Sequence, residues 1–233
     1  MVDLAILVII SLCVLAGYYR GTIYAALNVG VTILSLLLAL LLIPVVSGTV
    51  KSSETLYKSM LYYFEGYEYV STTSVEMVHA KASDVSAEEV ALLIEHADMP
   101  TPMDNAVRSN IRRLAYANKG ITTLGDYFNQ TIVDVVINIL SMLALFVVIR
   151  ILTGWALRVF DVSLEGFPVM NRYDWLFSCG IGFLHGVLIV YVLFMLVPVV
   201  LTVVPRLETF LQESLLGGFF YHVNPLLYFV PTT

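Results

Sequence analysis

Residues 174–204 form an apolar block that is longer than the roughly 20 residues a helix needs to cross the hydrocarbon core of a bilayer. Three further blocks, at 2–19, 22–46 and 132–157, are also long and nearly free of charge. Hydrophobic residues make up 59% of the chain and charged residues 13%, far from the average of a water-soluble domain. Because backbone groups in lipid must bond within their own segment, the blocks predict an all-α integral membrane protein with four transmembrane helices.

A polar stretch, 47–130, separates the apolar blocks into two pairs. It holds eleven of the eighteen acidic residues and seven of the twelve basic ones, so we expect it to lie in water. The last residues are aromatic and amphipathic, which is typical of a segment lying on a membrane surface. The sequence therefore predicts a transmembrane hairpin at 1–46, an extracytoplasmic and mainly helical insert at 47–130, a second transmembrane hairpin at 131–205, and an interfacial amphipathic tail at 206–233.

Two helices are predicted inside the insert. Ser86 opens a capping-box pattern with the glutamate three residues later, so a helix is expected over 86–97. A second helix is expected to begin with a cap at Asp104 or Asn105 and to end at Gly120. Nearer the C-terminus, Pro198 is expected to interrupt the fourth span, and the tail is expected to break at its glycine pair, 217–218.

Small residues recur every fourth position in the fourth span, after Asp174. This spacing places them on one stripe of a helix, where they allow a neighbouring backbone to approach closely. The first two spans are joined by the turn GYYRG at 17–21, which makes them antiparallel neighbours. The residues predicted to pack helices together are Gly17, Gly21, Ser178, Gly182 and Gly186.

Four polar residues inside the spans form a candidate polar seam: Asn28, Asp134, Asn138 and His185. Polar groups at membrane depth are costly and usually have a partner or a task. One interpretation is a pathway for protons or a solute, with His185 as its titratable member. The other, which we favour, is that these groups bond across helices and hold the bundle together.

Two charged residues stand at helix ends, Arg20 and Asp174. Asp174 is expected either to accept bonds from the first amides of its own helix or to pair with Arg20. Basic residues in and beside short loops favour the cytoplasmic side. Arg20 lies in the first turn, Arg150 at the inner end of the third span, and the arginines at 158 and 172 flank the link to the fourth span, so these loops are expected inside the cell. Both termini and the insert are then predicted outside, although Lys51 and Lys58 count against this orientation.

No residue pattern in the chain supports a catalytic, cofactor or metal site. The sequence contains no Walker A, HExxH, CxxC or G-x-S-x-G motif. His79 and His96 stand in the insert without cysteines, a pattern more typical of surface histidines than of metal ligands. The formal charge of −6 and the lack of a basic block argue against nucleic-acid binding. We therefore expect no enzyme activity, no cofactor and no metal.

The residues around Asp174 support a family resemblance. Asp174, the small residues at 178, 182 and 186, and the GVLIV that follows resemble a block of the colicin V production protein (CvpA) family of bacterial inner-membrane proteins. Asp3 with the GYYRG turn is the second point of agreement. The resemblance covers 1–46 and 131–205 and leaves the insert unmatched. It implies about four spans in the bacterial cytoplasmic membrane and a link to colicin V toxin production and envelope homeostasis, with no established reaction.

Two hypotheses for function follow. The first is a non-enzymatic scaffold or accessory factor of this family, whose insert contacts an envelope or secretion protein. The second is a small channel or transporter, formed when copies of the chain associate along the small-residue stripe and using the seam that includes His185. Besides the lipid bilayer, the expected partners are therefore a second copy of the chain or an envelope protein.

Overall fold

A computed structural model describes residues 2–64, 68–71, 75–159, 173–204 and 207–232. The described residues are almost entirely helical, with one isolated β-bridge between Lys81 and Thr123. The α-helices, in order, are α1 Val2–Arg20, α2 Thr22–Ser52, α3 Glu54–Tyr63, α4 Glu68–Ser71, α5 Val75–Val78, α6 Ala87–His96, α7 Met103–Arg112, α8 Leu124–Val159, α9 Asp174–Phe194, α10 Val197–Val203, α11 Leu207–Gln212 and α12 Leu215–His222. Short 3-10 helices lie at Ala117–Lys119 and Pro225–Phe229.

Four stretches among the described residues are long and apolar enough to cross a membrane. They are Val2–Arg20, Thr22–Ser52, Leu124–Leu157 and Asp174–Val203. The prediction of an all-α chain with four candidate spans is therefore confirmed, and so is the multi-pass membrane character it implies. The fourth stretch is interrupted after Phe194, and Pro198 stands at the beginning of α10, where its missing N–H is tolerated.

Two of the spanning helices are longer than the sequence predicted. The second apolar block ends at 46, whereas α2 continues through Pro44 to Ser52. α8 begins at Leu124, because the Thr123 hydroxyl accepts a bond from the Asp126 N–H at 3.2 Å and so caps the first turn. Hydropathy alone misses this start, because polar residues fill the first turns of α8.

The chain divides into two compact units. The first comprises 1–42, 142–195 and 208–226, and the second comprises 43–141, 196–207 and 227–233. α2 and α8 each contribute residues to both units. The four segments predicted from the sequence describe membrane placement, which this division does not address, and they stay a prediction.

The first unit is built on the packing of α1 against α9. Positions 10, 13 and 17 of α1 lie opposite 186, 182 and 178 of α9, so the two helices run antiparallel. α1 ends at Arg20 because Gly21 has φ +80, a left-handed conformation that glycine adopts without strain. α2 then begins at Thr22, as the GYYRG turn predicted.

The second unit has the first half of α8 at its centre. From Leu124 to Ile139 nearly every α8 side chain is buried, on all sides of the helix. In α7, which belongs to the same unit, the side chains of Met103, Ala106 and Val107 are also fully buried. The insert and the start of α8 therefore share one core, which a hydropathy profile cannot indicate.

The first insert helix agrees with its prediction and the second does not. Ser86 and Glu89 form the capping box, and the apolar side chains at 90, 93 and 94 are buried. α7, in contrast, begins at Met103 after Pro102, without a side-chain cap from Asp104 or Asn105. It ends at Arg112 rather than at Gly120, because the Ala115 N–H bonds back to the Asn110 carbonyl and closes the helix.

The break in the tail also lies elsewhere than predicted. Gly217 and Gly218 are inside α12, and the chain breaks between Gln212 and Leu215. The Ser214 hydroxyl accepts a bond from the Gly217 N–H at 2.9 Å, which starts the new helix. Gly217 is needed there for space, since a Cβ would lie 2.6 Å from the Ser214 hydroxyl oxygen.

Candidate functional site

Small residues bring the backbones of α1 and α9 into direct contact. A Cβ added at Gly182 would lie 2.7 Å from the Cys13 carbonyl oxygen, and one at Gly186 would lie 2.9 Å from an α1 backbone carbon. On α1, a Cβ at Gly17 would lie 2.5 Å from the Ser178 carbonyl oxygen. Four of the five predicted packing residues therefore meet at one helix contact. The fifth, Gly21, supplies the turn.

Asp174 fastens the start of α9 to the start of α2. Its carboxylate accepts a bond from the Thr22 backbone N–H at 3.2 Å, and the Thr22 hydroxyl donates to the Asp174 carbonyl at 3.0 Å. Thr22 is the first residue of α2, so Asp174 satisfies an amide that the helix itself cannot. The two expected partners were wrong: Asp174 does not cap its own helix, and the Arg20 guanidinium instead bonds the Tyr24 hydroxyl at 2.9 Å.

Asp3, near the beginning of α1, also binds the beginning of another helix, α12. Its carboxylate accepts bonds from the Ser214 hydroxyl at 2.7 Å and from the Leu216 backbone N–H at 2.8 Å. A carboxylate at the beginning of α12 also interacts favourably with the helix dipole. No local pattern connects residues more than 200 positions apart, so the contacts of Asp3 could not be predicted from the sequence.

Polar side chains from α2, α8 and α9 meet inside the first unit. The Arg150 guanidinium donates to the Asn28 side-chain oxygen at 2.5 Å. The Thr32 hydroxyl donates to the Asn28 carbonyl at 2.8 Å and lies 3.1 Å from His185 Nε2. With the single hydroxyl proton directed to the Asn28 carbonyl, His185 Nε2 is the donor in the second bond. Asn28 and His185 therefore lie in one cluster with Thr32 and with Arg150, whose place in it the sequence did not indicate.

A second polar cluster surrounds Asp134 in the second unit. Asp134 is 2% exposed, and its two carboxylate oxygens accept bonds from the hydroxyls of Tyr57 and Tyr116, each at 2.9 Å. The Lys51 ammonium lies 3.5 Å from the oxygen that Tyr57 binds. Burial, with the neighbouring Asp134 charge, raises the pKa of both phenols, which therefore remain neutral donors at physiological pH. The negative charge of the Asp134 carboxylate is thus balanced by two hydroxyl hydrogen bonds and one ammonium group.

Asn110 and Asn138 bond the last residues of the chain within the second unit. The Asn110 amide donates to the Tyr116 hydroxyl at 3.1 Å and to the Thr232 carbonyl at 2.8 Å. The Asn138 amide donates to the Pro231 carbonyl at 2.7 Å. The bonds to Thr232 and Pro231 join segments that are distant in sequence, so each amide holds the last residues of the chain against the buried part of the insert or of α8.

The four residues of the predicted seam belong to two different units. Asn28 and His185 are in the first unit, and Asp134 and Asn138 are in the second. All four take part in contacts between separate segments of the chain, and the choice between a pathway and a purely structural role stays a prediction. The residues that sequence reasoning missed are their partners, Lys51, Tyr57, Tyr116 and Arg150, and no local sequence signal could have supplied them.

Within the described parts of the chain, no three histidine, cysteine or acidic side chains come together as a metal site would require. His79 is exposed, and His96 Nδ1 lies 2.7 Å from the Leu92 carbonyl oxygen, one turn back on its own helix. Both cysteines, Cys13 and Cys179, are free thiols.

Comparisons of this chain with protein-family models, with curated proteins and with solved structures gave no match.

Proposed function

We propose that this chain is a CvpA-like scaffold or accessory factor of the bacterial cytoplasmic membrane, linked to toxin production of the colicin V type and to envelope homeostasis. One observation carries the proposal. Asp3 and Asp174, the two acids of the blocks that resemble the family, each bind a helix start elsewhere in the chain. Both aspartates therefore have architectural roles. The small residues of α1 and α9 bring the backbones of these two helices into contact.

The membrane placement that goes with this proposal follows the sequence prediction. Both termini and residues 47–130 are outside the cell, and the 17–21 turn is inside. The insert then carries the surface available to an envelope or secretion protein. The outer face of α6 suits this role: Glu88 and Glu95 are exposed, and Leu92 between them is 55% exposed although its neighbours Leu93 and Ile94 are buried.

A complementation experiment tests the scaffold role. Cells that lack the chain would be supplied with wild type, with Leu92→Glu, or with Arg112→Glu, an exposed matched control on α7. Envelope integrity would be measured as detergent sensitivity, and chain levels by immunoblotting of membranes. We expect Leu92→Glu to reach the membrane at normal levels but to fail in complementation, because a charge disturbs an apolar contact. Full complementation by Leu92→Glu would remove α6 as the partner surface.

The contact between Thr32 and His185 favours a second candidate, a small channel or transporter. A hydrogen-bonded histidine between spanning helices can carry protons if water reaches it. The small-residue stripe of α9 is covered by α1, so association of copies would have to use another face. Liposomes containing wild type and an enclosed pH dye would leak protons faster than those containing His185→Leu. Equal and low leakage would leave only the scaffold.

A further inference from the structure

Arg150 is a charged residue in a spanning helix without an ionic partner among the residues described. Ion pairs in that part of the chain join only Lys51 with Asp134 and Lys58 with Glu54. The described carboxylates of the first unit either bond other groups or are exposed: Asp3, Asp174, Glu208 and Glu213. The Arg150 contact that the structure provides is a neutral one, to the Asn28 amide oxygen.

The depth of this charge follows from helix geometry. Thr22 and Asp174 hold the first residues of α2 and α9 at one level. Asn28 is six residues into α2, so the Arg150 guanidinium lies about 9 Å inward from that level. An uncompensated arginine inside the hydrocarbon is costly even when the side chain can adjust toward the interface. A counter-charge at the Arg150 guanidinium would offset most of that cost.

The surroundings of Arg150 open toward lipid. Its α8 neighbours Val147 and Ile151 are 52% and 65% exposed, as residues on a lipid-facing side are. Tyr24 stands one turn before Asn28 on α2 and bonds the Arg20 guanidinium. Two guanidinium groups thus lie beside one stripe of α2. Arg150 contacts Asn28 and is the deeper, half-buried group, and Arg20, at the end of α1, contacts Tyr24.

We propose that Arg150, with Asn28 and Tyr24 beside it, binds the phosphate of an anionic phospholipid in the leaflet that contains the 17–21 turn. A guanidinium has five N–H donors in a planar fork that suits a phosphate, and the bond to Asn28 occupies part of it. Arg20, nearer the membrane surface, adds to the attraction. A net negative headgroup neutralises Arg150, whereas a zwitterionic lipid brings its own cation. The inference does not depend on the scaffold role.

The test measures lipid retention by native mass spectrometry. Wild type would be purified in a neutral detergent, incubated with equal amounts of phosphatidylglycerol and phosphatidylethanolamine, and compared with Arg150→Met and Arg150→Lys. Arg112→Met serves as the matched control, because Arg112 is exposed on the insert. We expect Arg150→Met to lose about tenfold in phosphatidylglycerol binding, since charge-assisted bonds are lost. Arg150→Lys should lose less, and Arg112→Met should behave as wild type.

A second measurement distinguishes a lipid from a free anion. The thermal unfolding midpoint would be recorded with added inorganic phosphate and with phosphatidylglycerol, for wild type and Arg150→Met. Stabilisation by phosphatidylglycerol alone, lost in Arg150→Met, supports the lipid site. Stabilisation by inorganic phosphate alone would move the assignment to a soluble anion and overturn the lipid proposal. Lipid retention that is the same in Arg150→Met and wild type, with both variants eluting as single species, would also overturn it.

Discussion

Replacing Gly182 by alanine tests the contact between α1 and α9. The new Cβ would lie 2.7 Å from the Cys13 carbonyl oxygen, whereas ordinary contacts begin at about 3.4 Å, so the helices must separate by about 0.7 Å. A gap of that size forfeits roughly a third of the dispersion energy of each atom pair. For about 40 pairs at ~0.15 kcal/mol each, the loss is about 2 kcal/mol, within the usual range for overpacking.

The chain offers a matched control two residues away. Gly180 is on the same helix and has no atom within 4 Å of its Cβ position, so Gly180→Ala adds the same methyl group without a clash. Thermal unfolding in detergent, followed with a dye that reacts with Cys13 and Cys179 as they become exposed, measures both variants. We expect Gly182→Ala to lower the midpoint by roughly 4–8 °C and Gly180→Ala to leave it unchanged or raise it. Equal effects of the two variants would refute the argument from backbone contact.

Three further predictions concern the second unit. A double-mutant cycle tests the pair of Lys51 and Asp134. Lys51→Met alone should lower the free energy of unfolding by roughly 3 kcal/mol, because the Asp134 charge then stays buried without its ammonium partner. Adding Asp134→Asn should recover part of that loss. Tyr57 and Tyr116 have pKa values raised in the folded state, so their contribution to stability is complete below about pH 10 and is lost as the pH rises above it. The absorbance of wild type at 295 nm, minus that of the Tyr57→Phe, Tyr116→Phe double variant, isolates these two phenols from the other tyrosines. This difference should rise only together with unfolding, and a rise without unfolding would contradict the prediction. Ser86→Ala should cost about 1 kcal/mol through the lost cap, seen as faster amide exchange in α6, while unchanged exchange would argue against the cap.

Patterns local in sequence predicted the elements that depend on neighbouring residues. The four spans follow from the length of their apolar blocks, and the α6 helix follows from the Ser86 capping box. The limits of α7 and α12 were predicted incorrectly. The end of α7 depends on Leu114, which takes φ +48, and the start of α12 depends on Ser214. The glycines at 120 and 217–218 are stronger stop or break signals in the sequence, and they led to the wrong limits. Closure of a helix end is decided by which backbone groups find partners.

The sequence by itself determined that this chain is helical, that four stretches can cross a membrane, and that small residues recur along one face of α9, because each of these is a matter of hydropathy and spacing. Only the tertiary structure decided which groups meet: Asp3 with Leu216, Asp174 with Thr22, and Asp134 with Tyr57 and Lys51. The reason is physical. A buried charge must find its partner in space, and the packing of distant segments, which no local pattern records, places that partner beside it.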